Sequence, residues 1–163
     1  MDLLFLVVLW IHATTAVFFI GGSLFIWIVV WPVSYKFTDD EKERTRILGL
    51  IGRLFGTLTD ISVVILLVTG AYLGLAYLPQ FSQLTTTAGG QLLLAKSIVV
   101  IVMIVLMYAN NIYHGKRIVN LAAQGELEKV RQIRRITHIA SFITLGLLVV
   151  IAILAFTLPY YHP

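Results

Sequence analysis

The chain has 163 residues, of which 59% are hydrophobic and only 12% charged, and its mean hydropathy is +0.93. That balance excludes a soluble domain and describes an integral membrane protein. The absence of cysteine excludes a disulfide framework, a thiolate copper site and covalently attached c-type haem, so a bound metal must use nitrogen, oxygen or thioether ligands.

Four apolar stretches, Leu3–Val33, Leu54–Leu78, Gln91–Tyr113 and Ile136–Leu158, are each long enough to cross a hydrocarbon core of about 30 Å. The expected fold is all-α: a single four-transmembrane-helix domain over residues 1–163, with helices near 3–33, 39–78, 91–122 and 126–158. The first stretch lacks a basic n-region and runs on to Trp31-Pro32 without a small-residue cleavage site, so it is expected to stay as a transmembrane helix. Thr38-Asp-Asp-Glu41 has the pattern of a capping box and predicts a helix start near Asp39. The uncharged, turn-rich segment 79–90 is expected to form a small lid at one end of the bundle. Helix 3 is expected to run on through Leu121-Ala-Ala and turn at Gln124-Gly125. Glu126 and Glu128 then open helix 4, where the helix dipole favours acidic residues.

Of the twelve Lys and Arg residues, only Lys96 lies outside the segments 34–53 and 115–135. The positive-inside rule predicts that both basic segments are cytoplasmic and both termini outside, in a plasma membrane of prokaryotic type. Helices 2, 3 and 4 would extend into the cytoplasm. The net charge of +4 follows from this topology and does not indicate nucleic-acid binding.

Lys96 sits within a long apolar run, where a lipid-facing ammonium would cost at least a few kcal/mol. At about 100° per residue, Met103, Met107, Asn110 and His114 fall within roughly 40° of it on one helix face, which must look into protein or a cofactor. His12 lies at a comparable depth in helix 1, and its face continues through Thr15, Phe19, Ser23, Ile26 and Trp27. These residues would suit a flat, apolar cofactor, with Tyr72 of helix 2 as a further lining residue. Near the other end, the turn at Gly125 gives His114 and His138 similar depth, and Asp60 of helix 2 lies near the same level. A second site of His114, His138 and Asp60 is therefore geometrically allowed. Plainer readings stand beside these: a buried hydrogen bond and a snorkelling lysine for His12 and Lys96, interfacial histidines for His114 and His138, an Arg53–Asp60 charge pair, and packing for the methionines.

Several segments in order, His12-Ala-Thr-Thr-Ala-Val-Phe-Phe-Ile-Gly-Gly22, Thr69-Gly70, Thr87-Ala-Gly-Gly-Gln-Leu-Leu-Leu-Ala-Lys96, Asn110 and Thr157-Leu-Pro159, resemble the membrane domain of the copper-resistance D (CopD) family. The same outline is similar to the small HemJ-type protoporphyrinogen oxidases. That second resemblance implies haem b held by a helix-1 histidine and a lysine at the start of helix 3, roles that would map onto His12 and Lys96. Gly89-Gly90-Gln91-Leu92 departs from the aromatic and basic residues usual just before that lysine, and no Met- or His-rich copper segment is present.

Three functions stay open at this point. One is a haem b membrane protein carrying electrons within or across the bilayer, an oxidoreductase of cytochrome b type. It would use His12 with Lys96 and, for a second haem, His114 with His138, with a quinone or another membrane redox partner. Another is copper passage through His12, Met103, Met107 and His114, thioethers being suited to Cu(I). The last is porphyrinogen oxidation, in which Lys116 or Arg117 would attract substrate propionates. Gly21-Gly22 and the small face Gly56, Ala71, Gly74 permit close helix contacts within one chain or in a homo-oligomer.

Overall fold

Pro32 shapes the first span. It has no N–H to offer the Ile28 carbonyl and its ring crowds that oxygen, so the α-helical ladder cannot continue unchanged. The computed structural model, which describes residues 2–78, 80–111 and 116–161 (backbone only at 116, 119, 122, 123 and 127), resolves this with a single π-helical turn. Helix α1 covers Leu3–Phe25, the π-turn Ile26–Val30, and α2 Trp31–Phe37, with the Trp31 N–H bonded to the Ile26 carbonyl. Wide turns of this kind form where a regular helix must absorb an extra residue. The first span therefore reaches Phe37, four residues past the expected end.

Helix α3 runs over Glu41–Tyr77. Its start is set by Asp40, whose carboxylate accepts from the Lys42 N–H at 2.8 Å, while Thr38 Oγ1 donates to Glu43 and accepts from the Asp40 N–H. The expected Thr38–Glu41 box does not form: Asp40 is the cap, one residue after the expected start, and Thr38 bridges Glu43 and the Asp40 N–H instead. A short helix α4 (Gln83–Thr86) precedes α5 (Ala88–Asn110), which is capped by Thr87 accepting from the Gly90 N–H. Gly90 is needed here, because a Cβ would stand 2.0 Å from the Gln83 carbonyl oxygen. The expected lid is thus a helical turn folded onto the first turn of α5.

Helix α6 covers Lys116–Ala123 and α7 covers Leu127–Thr157, followed by a 3₁₀ turn at Leu158–Tyr160. Between α6 and α7, Gly125 takes φ +78°, a left-handed conformation open to glycine without steric cost. The stretch that would join α5 to α6 includes residues 112–115, outside the described residues. Tyr77 OH donates to the carbonyls of Leu158 and Tyr161, tying the end of α3 to the chain after α7.

The segments Leu3–Phe37, Glu41–Tyr77, Ala88–Asn110 and Glu128–Tyr160 are each long and apolar enough to cross a membrane. Most of their apolar side chains point outward, as a lipid-facing bundle requires, and no strand occurs among the described residues. Helix α1 lies along α3 and α5 along α7, whereas the two pairs touch each other far less. One buried residue from each span closes the centre: Phe19, Val63, Met103 and Leu148, all 4–5% exposed. This waist divides the bundle into a half bearing the basic segments and a charge-poor half bearing the chain ends and α4.

Candidate functional site

In the charge-poor half, His12 lies nine residues into α1, about 13 Å from its start, and Lys96 eight residues into α5, about 12 Å, so the two share a level. The expectation had put Lys96 nearer its helix end. Capping by Thr87 starts α5 three residues earlier and removes the mismatch. Helix α3 supplies the link between them: Gly70 leaves room for the His12 ring, which a Cβ would meet at 3.2 Å, and one turn further Gly74 seats Leu93 of α5. Lys96 lies one turn inward of Leu93 on α5. The structure thus sets the two residues at one level on helices that belong to different pairs.

The hydrogen bonds of Thr69 fix the chemistry of His12. Thr69 Oγ1 donates its one proton along α3 to the Ile65 carbonyl at 2.6 Å and stands 2.7 Å from His12 Nδ1. With the hydroxyl proton on that carbonyl, Thr69 accepts from Nδ1–H, the imidazole proton is on Nδ1 and Nε2 keeps its lone pair. This is the arrangement of metal-binding histidines, in which the second nitrogen is oriented by a partner outside the ligand sphere. Nothing in the helix pattern marks Thr69 for this role beyond its being a hydroxyl beside a glycine in an apolar span.

Below this layer the predicted stripe of α5 does face inward. Met103 is part of the waist, and Met107 and Asn110 line a cavity of about 260 Å³ on the far side of it. Ser23 and Trp27 of α1 also line this cavity, so the face predicted to surround a flat cofactor at His12 serves the other half instead, and Phe19 closes the waist. Tyr72 is exposed on α3. Asn110 Nδ2 donates to Ser141, while Asn110 Oδ1, Thr59 Oγ1 and Thr137 Oγ1 are buried without a hydrogen-bond partner.

The second expected site is rearranged. His114 lies outside the described residues. His138 does not meet Asp60: its ring stands edge-on to Trp31 at 4.0 Å and to Trp27 at 4.9 Å, with Nε2 buried and unpartnered. Asp60 instead accepts from Tyr108 OH at 2.7 Å, and Arg53 Nε donates to the Gly49 carbonyl rather than pairing with Asp60. Both Asp60 and Arg53 are exposed, where pairing would contribute little. Among the described residues, no three His, Asp or Glu side chains converge on a point that could hold a metal ion.

Sequence reasoning also missed an arginine-rich cleft at the basic end. Arg134 reaches from α7 to Glu41 at 3.1 Å and to Thr45 at 2.7 Å, joining the foot of α3 to α7. The signal available was the cluster of Arg131, Arg134 and Arg135 early in helix 4, with Arg44 near the start of helix 2.

A family model described as Copper resistance protein D matches residues 49–154. No curated protein and no solved structure is similar enough to match.

Proposed function

We propose, from the premise that this chain belongs to the copper resistance protein D family, that it is a membrane metalloprotein whose centre is the His12 layer and whose metal is the iron of a haem b. The observation that carries this reading is the Thr69–His12 bond, which leaves Nε2 as a ligand atom at the level of Lys96. The chemistry of the donor set suits the group: an imidazole held by Thr69 and an amine at the same level would be its ligands, and Gly70 leaves room for the ring. A haem held there supplies one-electron transfer. Thr69 holds the imidazole in one tautomer, Lys96 offers a nitrogen donor once neutral, and the apolar waist bars water from passing between the halves.

The visible spectrum of the detergent-purified protein, before and after dithionite, tests this. Expected are a Soret band with sharp reduced α and β bands, lost in His12→Ala and altered in Lys96→Ala. A colourless preparation that takes up no added haemin, while binding Cu(I), overturns the haem assignment.

A second reading, Cu(I) passage, is favoured by a separate observation. The thioether of Met103 is the one soft donor in the waist, with Met107 one turn further in the cavity beyond. Met103→Leu conserves volume, so under this reading it keeps the fold while abolishing copper movement into proteoliposomes. Unchanged transport in that variant rules the relay out.

A further inference from the structure

The cleft at the basic end has a volume of about 510 Å³, and four of its lining side chains are Arg44, Arg131, Arg134 and Arg135. Glu41 is the carboxylate among them, and it is already engaged by Arg134 and Arg131. Arg135 has no carboxylate partner among the described residues. Arg44 is only 9% exposed. Its guanidinium lies over the Tyr35 ring at 4.3 Å and spends one nitrogen on the Thr38 and Asp39 carbonyls, yet Nε is buried without a partner. His138 Nε2, on the same cleft, is likewise buried and unpartnered. One carboxylate against four guanidiniums leaves the cleft with positive charge and N–H donors in excess, which an oxyanion from outside the chain would meet.

The other wall of the cleft identifies that acceptor's chemistry. Ile139 and Phe142 line it and are more than half exposed. They continue on α7 into Ile143, in the segment apolar enough to span the bilayer. Guanidiniums that open onto a lipid-facing apolar strip match a molecule with an oxyanion head and a hydrocarbon tail.

We propose that this cleft binds an anionic phospholipid of the adjoining leaflet, its phosphate held by Arg44, Arg134 and Arg135 and its acyl chain lying along Ile139 and Phe142. The lipid phosphate screens the mutual repulsion of the guanidiniums that line the cleft. Its binding is independent of the proposed His12 centre, because the waist and the cavity beyond it lie between the two places.

Native mass spectrometry of the full chain, released from micelles holding equal amounts of phosphatidylglycerol and phosphatidylcholine, tests the proposal. Phosphatidylglycerol adducts should exceed phosphatidylcholine adducts by about tenfold or more, since each guanidinium near a headgroup contributes about a fivefold preference. Arg135→Gln, at an exposed position that should leave folding intact, is expected to lower that preference about fivefold, and Arg44→Gln further, whereas Arg46→Gln, outside the cleft, leaves it unchanged. Equal retention of the two lipids overturns the proposal, as does an equal loss in Arg46→Gln and Arg135→Gln. Displacement of phosphatidylglycerol by millimolar inorganic phosphate would replace the lipid with a soluble oxyanion and also overturn it.

Discussion

Replacing Thr69 with valine removes one oxygen from the bundle while keeping its shape. Two hydrogen bonds change. The donation from Thr69 to the Ile65 carbonyl is lost at little cost, because that carbonyl lies within α3 and keeps its helical bond. The His12 Nδ1–H, by contrast, loses its acceptor. Leaving a buried donor unpaired costs about 1–3 kcal/mol. His12 is half-buried, so the lower part of that range applies, about 1–1.5 kcal/mol, which is close to a tenfold change in affinity. The same figure stands at the lower edge of the 10–100-fold loss typical when the outer partner of a ligating histidine is removed. The assay is a Soret titration of the haem-free protein with haemin, followed by measurement of the midpoint potential. Thr69→Val should bind about tenfold more weakly and show a raised potential, because an imidazole whose N–H is no longer held by an acceptor donates less charge to iron. Thr69→Ser, which restores the oxygen, should recover both. Wild-type affinity together with an unchanged potential in Thr69→Val would refute the claim that Thr69 orients a ligating His12.

Other outcomes follow from packing and charge. Gly90→Ala puts a methyl group 2.0 Å from the Gln83 carbonyl oxygen, so α4 must leave the first turn of α5, and hydrogen exchange across 83–91 should accelerate while the core of α7 stays protected. At the waist, Met103→Ala should destabilise by about 2–5 kcal/mol and Met103→Leu by less than about 1.5 kcal/mol, both read from thermal melts in detergent. A double-mutant cycle of Glu41→Gln with Arg134→Gln should give a coupling of about 1–3 kcal/mol, because both side chains are less than 20% exposed. A coupling near zero would show that Thr45 alone anchors Arg134.

The parts of the fold governed by one-dimensional rules were readable before any coordinates. Four spans follow from apolar length, the turn after α6 from Gly125, and the α7 start from Glu126 and Glu128, all within a few residues of the structure. The inward stripe of Met103, Met107 and Asn110 also follows, because helical periodicity alone decides which residues share a face. What could not be read depends on the rotation of one helix against another. The π-turn before Pro32 accompanies Trp27 and Trp31 turned toward His138, so the aromatic walls expected near His12 serve the opposite half. Likewise, Asp60 met Tyr108 and not Arg53, since a short carboxylate takes whichever donor the neighbouring helix brings within 3 Å. For the same reason, Thr69 gained its meaning only once α1 lay against α3.

The waist bears on how the protein would respond to the membrane voltage. The cavity of about 260 Å³ on its basic side is large enough for several water molecules. Were water to fill it from that side and to reach the His12 layer from the other, the dielectric barrier would shrink to the stretch from His12 to Phe19, Val63, Met103 and Leu148, roughly 10 Å or two helical turns. Most of the transmembrane potential would then fall across that short septum. A charge crossing it, whether an electron or a monovalent cation, does electrical work approaching 2.3 kcal/mol per 100 mV over two helical turns.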